Sequence, residues 1–152
     1  LRQYRGAEFD VLLVKQMGDS DDCLASWPEP LCWVDSRHMP ALGRDPLPLV
    51  AFPVGGLYRN EMLQHLEVGG WRWRIGYSSA SLAGVCSAVA AGLGISLLPE
   101  RVVQAGHVVL GADSGLPAVQ GVRLALYGRN GMGAAGQSLQ GQLWDLCEAN
   151  PR

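Results

Sequence analysis

The chain has 152 residues, of which 48% are hydrophobic and 17% are charged, and its formal net charge is −2. This composition is typical of a globular protein with one core or two small ones, and it excludes an intrinsically disordered chain. Lysines and arginines are scattered singly, so the basic stripe of a nucleic-acid-binding surface is lacking. No apolar run approaches the roughly 20 residues that span a bilayer.

None of the cysteines belongs to a C-x-x-C pair or has a histidine at metal-ligand spacing; they are Cys23, Cys32, Cys86 and Cys147. A free thiol in an apolar pattern behaves as a small hydrophobic side chain. We therefore expect reduced structural thiols in a cytoplasmic protein, with no zinc site and no cofactor. Because the first residue is Leu and not Met, we also expect the native chain to begin further upstream.

The first third of the chain predicts two strands and a long connector. Residues 1–10 resemble a helix end that is broken at Gly6. Four consecutive apolar residues at 11–14 predict a strand buried on both faces, as in a parallel sheet. Residues 30–34 predict a second strand with proline at its first position. Residues 35–48 are polar and are broken by Pro40, Gly43, Pro46 and Pro48, which indicates a connector.

The middle of the chain is the most regular. Residues 49–52 predict a strand, and a turn at 53–56 leads into a helix over 57–68 that ends at two glycines. A strand over 71–77 follows, and the serines of residues 78–81 supply N-cap candidates for the next helix. That helix is predicted over residues 82–92, with a 3.6-residue apolar stripe of Leu82, Val85, Cys86, Val89 and Leu93.

The last third predicts strands at 95–98, 108–110 and 122–127 and a final helix over 134–148. The inward positions of this helix are predicted as Leu139, Leu143, Leu146 and Cys147. Strands that alternate with helices over short loops indicate an α/β architecture with a largely parallel sheet.

Three motifs carry a resemblance to a known family. Residues 77–99 contain S-L-A-G-V-C-S-A-V-A-A-G-L-G-I-S-L-L-P, similar to a family helix of the form S-L…A-V-A-A-G-L-G-I…L-P. Residues 48–59 resemble the strand, turn and helix that begin that family's second subdomain, and residues 6–14 resemble its G-x-x-D-V/L-x-L-V signature. The sequence thus resembles the effector-binding (substrate-binding) domain of LysR-type transcription regulators, shortened at its N-terminus.

The resemblance implies a periplasmic-binding-protein type II-like α/β fold, with two lobes joined by crossover strands and the first lobe incomplete. Subdomain I is expected over residues 1–36 plus 126–152, and subdomain II over residues 37–125. The crossovers are expected near residues 32–35 and 123–127. The family's winged helix-turn-helix DNA-binding domain is absent from this chain.

Candidate site residues lie where strands end and helices begin, since ligands of α/β sheets settle at the carboxyl ends of strands. Free backbone amides and the positive end of the helix dipole suit a carboxylate there. The candidates for ligand binding are Lys15, Gln16, Pro53, Gly55, Gly56, Ser78, Ser79 and Ser81. The alternative is that these serines only cap a helix and these glycines only turn the chain.

A catalytic site is not expected. Residues 76–80, G-Y-S-S-A, lack the second glycine of a G-x-S-x-G nucleophile elbow, and His107 has no ordered acid partner in the sequence. The resemblance implies instead a sensor of a small polar or anionic effector, with DNA contacted only through the missing domain and no membrane partner. The full-length protein would form homodimers or homotetramers. The alternative is a periplasmic solute-binding protein of a transport system, which shares the fold.

Overall fold

The computed structural model describes residues 9–149, so most of the helix end predicted at residues 1–10 lies outside the described residues. Along these residues the elements are β1 (Val11–Met17), β2 (Ala25–Pro28), β3 (Leu31–Ser36), β4 (Leu47–Ala51), α1 (Leu57–Val68), β5 (Trp73–Ser78), α2 (Leu82–Ala90), β6 (Ser96–Pro99), β7 (His107–Leu110), β8 (Val122–Gly128) and α3 (Ala134–Glu148). The bounds predicted for α1 and α3 are confirmed. Strand β2 was missed, because four residues ending in proline give too short a pattern.

The elements group into two compact units. Unit 1 takes the described residues up to Glu29 together with those from Gly121 onward, and unit 2 is the continuous segment Pro30–Gln120. The sequence placed the divisions later, at 36/37 and 125/126. Strand β3 pairs with β6 and β7 inside unit 2, whereas β8 pairs with β1 and β2 inside unit 1. That these units are the family's two subdomains stays a prediction.

Unit 1 is a three-stranded sheet in the order β1–β8–β2. Both pairings are antiparallel: Leu124 of β8 lies opposite Lys15 of β1 on one side and opposite Trp27 of β2 on the other. Helix α3 packs on β1 and β2. The residues of β1 are half-buried except for the exposed Met17, so the prediction of a strand buried on both faces is wrong. Its apolar run lies on an edge strand of this sheet.

Unit 2 contains the antiparallel set β6–β3–β7 and the parallel pair β4–β5. A parallel bridge between Leu49 and Ile95 connects β4 to the start of β6. The prediction of a largely parallel sheet is therefore wrong outside β4, β5 and this bridge. An apolar run predicts a strand that is covered on both faces, and even where this holds, as for β4, the run does not determine the direction of the neighbouring strands.

Two hydrophobic clusters form on opposite faces of unit 2. Met62 and Leu66 of α1 pack in the cluster that contains Leu49. Val85 and Val89 of α2 pack in the other cluster, with Val34, Val50 and Leu98. Because adjacent strand residues point to opposite faces, Leu49 and Val50 send their side chains to different helices. Unit 2 is thus covered by a helix on each face.

A buried carboxylate fixes the connector that follows β3. Asp35 is fully buried, and its oxygens accept hydrogen bonds from the backbone amides of Ser36 (2.7 Å), Ala41 (2.8 Å) and Leu42 (2.9 Å). A buried charge is tolerated when several donors surround it. This arrangement holds residues 36–42, predicted only as a polar connector, in a defined loop against unit 2.

Candidate functional site

Strands β4 and β5 bring six of the eight candidate residues to one edge of unit 2. The two strands are parallel and Ala51 pairs with Ser78, so both strands end together. The backbone amide of Ser79 donates to the carbonyl of Ala51 at 3.1 Å. Helix α1 begins at Leu57 and helix α2 at Leu82, so both N-termini lie close behind this edge. We call Pro53, Gly55, Gly56, Ser78, Ser79 and Ser81 the β4–β5 edge.

The serines of the edge form a capped turn. Ser81 is the N-cap of α2, and its Oγ accepts from the amide of Gly84 at 3.2 Å. The Oγ of Ser79 accepts from the amide of Ser81 at 3.1 Å. Because a hydroxyl also carries a donor proton, Ser79 and Ser81 can each donate a hydrogen bond to a ligand while accepting one from a backbone amide. Ser78 is exposed at the end of β5.

Helix α1 starts without a side-chain cap. Its N-cap is Gly56, whose amide donates to the carbonyl of Pro53 at 3.2 Å, and Gly55 has a φ of +91° that favours glycine. Neither α1 nor α2 has an acidic residue in its first turn. Arg59 adds a positive charge near the start of α1, where its Nη1 donates to the carbonyl of Phe52 at 3.0 Å. The electrostatics of this edge favour an anion.

Apolar side chains surround the polar groups of the edge. Val54 is 87% exposed in the turn after β4, and Tyr77 and Leu82 are exposed beside the serines. The rings of Phe52 and Tyr58 lie 5.8 Å apart. Sequence reasoning missed these residues and Arg59, because they become neighbours only through the parallel pairing of β4 with β5.

Lys15 and Gln16 lie on β1 in unit 1, and the structure separates them. Adjacent residues of a strand point to opposite faces. The Nζ of Lys15 lies 3.2 Å from Oε1 of the buried Glu29. The side chain of Gln16 accepts from the hydroxyl of Tyr127 at 2.6 Å and donates to the carbonyl of Gly18 at 3.2 Å. Both side chains thus have partners within unit 1.

The buried histidine of unit 2 is held at both ring nitrogens. Nδ1 of His107 accepts from the amide of Gln104 at 3.1 Å, so Nε2 carries the proton and donates to the carbonyl of Cys86 at 2.8 Å. His107 therefore ties the loop before β7 to α2. Within residues 9–149, no group of three His, Cys, Asp or Glu side chains is arranged to hold a metal ion. The helices of this same range are too short or too polar to cross a membrane.

Comparison with known proteins assigns the fold to a family. The family model of the LysR substrate binding domain matches residues 1–142, so the chain belongs to this family. The periplasmic-binding-protein type II-like fold expected from the sequence is confirmed.

Two curated relatives are helix-turn-helix regulators. The chain is 25% identical over 122 residues to the HTH-type transcriptional regulator DgdR of Burkholderia cepacia, covering 80% of this chain and 41% of DgdR. It is 30% identical over 95 residues to the HTH-type transcriptional regulator PecT of Dickeya dadantii (strain 3937), covering 62% of this chain and 29% of PecT. The chain thus spans less than half the length of either relative.

Solved structures share the fold at low sequence identity. The bromide-bound regulatory domain of HypT from Salmonella typhimurium has a TM-score of 0.72 and 16% identity, covering 97% of this chain and 77% of that domain. The regulatory domain of CcmR from Synechocystis PCC6803, in complex with 2-PG, has a TM-score of 0.66 and 16% identity, covering 99% of this chain and 79% of that domain. Identities this low show the fold and not the ligand.

Proposed function

We propose that this chain is the effector-sensing part of a LysR-type transcription regulator and that it binds a small polar or anionic molecule. The observation that carries the proposal is the β4–β5 edge, where two acid-free helix N-termini meet the hydroxyls of Ser79 and Ser81. Family membership and two helix-turn-helix relatives support it. The HypT and CcmR domains, solved with bromide and with 2-PG, support small anions and small molecules as ligands of this fold.

The proposed ligand has a carboxylate or similar anion and a partly apolar body. The anion accepts hydrogen bonds from the serine hydroxyls and from the free amides at the start of α1. The apolar part packs against Val54, Tyr77 and Leu82, which otherwise expose hydrophobic surface to water. Lys15 and Gln16 remain candidate ligand residues of unit 1, where Lys15 pairs with Glu29.

Regulation follows from a ligand that prefers one arrangement of the lobes. Such a ligand shifts the population of the full-length oligomer, and the shift changes how the DNA-binding domains meet their operator. We expect no covalent chemistry, a cytoplasmic location, and dimers or tetramers of the full-length protein. The transport alternative has the same fold, but the curated relatives favour the regulator.

A thermal-shift screen tests the proposal. The domain, extended upstream to its full family length, is screened against small carboxylates, amino acids and aromatic acids. A ligand that binds only the folded protein raises the melting temperature with concentration. The affinity of a hit at the β4–β5 edge should fall about tenfold in Ser78→Ala, as expected for a lost hydrogen bond to a charged group, and Lys15→Ala tests the candidate of unit 1 separately.

Ser87→Ala is the matched control, because Ser87 is an exposed serine of α2 away from the helix start. Ser81→Ala is compared by affinity and not by melting temperature, since loss of the N-cap itself costs about 1 kcal/mol. Hits that survive the Ser78 and Lys15 substitutions place the ligand elsewhere. A screen without hits contradicts a small-molecule effector of the tested classes.

A further inference from the structure

Unit 2 has a second concave surface at the other end of β4 and β5. It is lined by Leu47, the first residue of β4, by Trp71 and Arg72 just before β5, and by Asp45. We call this surface the Trp71 groove. Its volume is about 590 Å³, which lies within the usual range of roughly 300–1,000 Å³ for small-molecule sites. The β4–β5 edge lies at the opposite ends of the same strands.

Glycines keep the groove open. Gly43, Gly70 and Gly115 line it with φ values of +96°, +73° and +76°, which other residues rarely adopt. A Cβ added at Gly43 or Gly70 would meet nothing within 4 Å. The backbone conformation at these positions favours glycine, so no side chain occupies the mouth of the groove. The space that a side chain would fill is available to a ligand.

The wall of the groove is an aromatic ring held in place. Trp71 is half-buried and packs against the cluster around Leu49. A Cβ on Gly69 would lie 3.0 Å from Cδ1 of the indole, and a Cβ on Gly115 would lie 3.7 Å from Cζ2. The ring is thus fitted between two glycines, and its orientation is set by the fold. A fixed aromatic face is suited to a planar partner.

The charge of the groove is positive. Arg72 and Asp45 form an ion pair at 3.1 Å, and both are exposed, at 75% and 66%. The guanidinium of Arg44 donates to the carbonyls of Gly92 and Pro40, each at 3.0 Å, which fix its position without cancelling its charge. The charged residues that line the groove are thus two arginines and one aspartate.

We propose that the Trp71 groove is a second ligand site, which takes a small planar carboxylate such as an aromatic acid. The ring packs on the indole of Trp71, and the carboxylate replaces Asp45 as the partner of Arg72. The excess positive charge selects an anion over a neutral molecule of the same shape. This site is independent of the β4–β5 edge and does not rest on the function proposed for it.

The probe is sodium benzoate, added to the protein labelled with ¹⁵N and followed by titration of the tryptophan indole signals. The Trp71 signal is assigned with Trp71→Phe. Benzoate should shift it in a saturable way with a Kd below about 10 mM. Benzamide, which is planar but neutral, and cyclohexanecarboxylate, which is charged but not aromatic, should each bind at least about threefold more weakly.

Two substitutions should act in opposite directions. Arg72→Gln should weaken benzoate about threefold or more, whereas Asp45→Asn should tighten it about threefold, because it frees Arg72 from its ion pair. Arg74→Gln removes the same charge from an exposed arginine two residues away that does not line the groove, and it should change little. Circular dichroism shows whether each variant is folded.

Several outcomes would overturn the proposal. These are no saturable shift of Trp71, equal effects of the Arg72 and Arg74 substitutions, or weaker binding in Asp45→Asn. Benzoate binding that is abolished by Ser78→Ala but indifferent to Arg72→Gln would place the aromatic acid at the β4–β5 edge instead. That result would support the proposed function while rejecting the groove.

Discussion

The two units differ in how their sheets are covered. Unit 2 has a helix on each face and two hydrophobic clusters, in which Leu49 and Val50 are fully buried. The three-stranded sheet of unit 1 receives one helix among the described residues, α3, and of that helix only Cys147 is buried. Among residues 9–149, the large apolar side chains that unit 1 exposes are Phe9, Met17, Leu24, Leu139, Trp144 and Leu146.

This difference shows what an α/β layer needs in order to be stable. Burial of apolar area is the main favourable term in folding, and a sheet gains most of it when both faces are covered. Unit 2 meets this condition with its own residues. Unit 1 leaves β1 half-buried as an edge strand, a position at which other chains readily add. We therefore expect the stability of the chain to reside mainly in unit 2.

Separating the two units is expected to have the largest effect on the unfolding of the chain. Residues 30–120, produced alone, should unfold in a single cooperative transition, because both hydrophobic clusters lie within them. Thermal unfolding followed by circular dichroism measures this. A broad, non-cooperative transition would show instead that unit 2 depends on unit 1 and would break the comparison.

A matched pair of leucines gives the next largest effect. Leu66→Ala removes a fully buried side chain of α1 in unit 2 and should lower the free energy of unfolding by about 3 kcal/mol. Leu143→Ala removes a half-buried side chain of α3 in unit 1 and should cost about 1 kcal/mol. Urea denaturation compares the two. Equal costs would mean that α3 is as tightly packed as α1.

The cysteines give the smallest effect and the finest test. Burial raises the pKa of the Cys32 thiol to about 11, with a further contribution from Glu100, and burial also raises the pKa of Cys86 and of Cys147. All three thiols should therefore resist iodoacetamide at pH 8, while the half-exposed Cys23 reacts. In low urea, Cys147 of unit 1 should be labelled before Cys32 and Cys86 of unit 2. Simultaneous labelling would contradict unequal stability.

The raised pKa of Cys32 makes the stability of the chain depend on pH. A thiol whose pKa is raised in the folded state favours folding in its protonated form. The contribution of Cys32 to stability is therefore complete below its ordinary pKa of 9.0 and is lost as the pH rises through about 11. The loss should be smaller in Cys32→Ala, and urea denaturation at pH 8 and pH 10.5 measures the difference.

Local signals in the sequence predicted the helices well. The glycines after Val68 and the serines before Leu82 act on their immediate neighbours, so the bounds of α1 and the start of α2 could be predicted without tertiary information. The direction of the strands could not, because it depends on pairing over long sequence separations. Leu139 and Leu146 were predicted to point inward but are exposed. Helical spacing shows which residues share an apolar stripe, but it does not show how much of that stripe another element covers.

The candidate site was predicted in part. The turns after β4 and β5 are brought together as expected, because parallel strands end at the same edge. Lys15 and Gln16 were predicted as a pair, although the alternation of a strand indicates opposite faces and could have separated them. No sequence pattern marked Arg59 or the exposed Val54 as part of the site. Ligand binding at all eight residues stays a prediction.

The glycines of the A-G-L-G-I segment have a consequence for how relatives are compared. A Cβ on Gly92 would lie 2.6 Å from Cβ of Met39, and a Cβ on Gly94 would lie 2.7 Å from the carbonyl oxygen of Pro48. Both positions are closed to larger residues by chain segments more than forty residues away in sequence. The motif therefore reflects a close contact between distant parts of the backbone. Because it serves the fold, proteins that share it can respond to chemically unrelated signals.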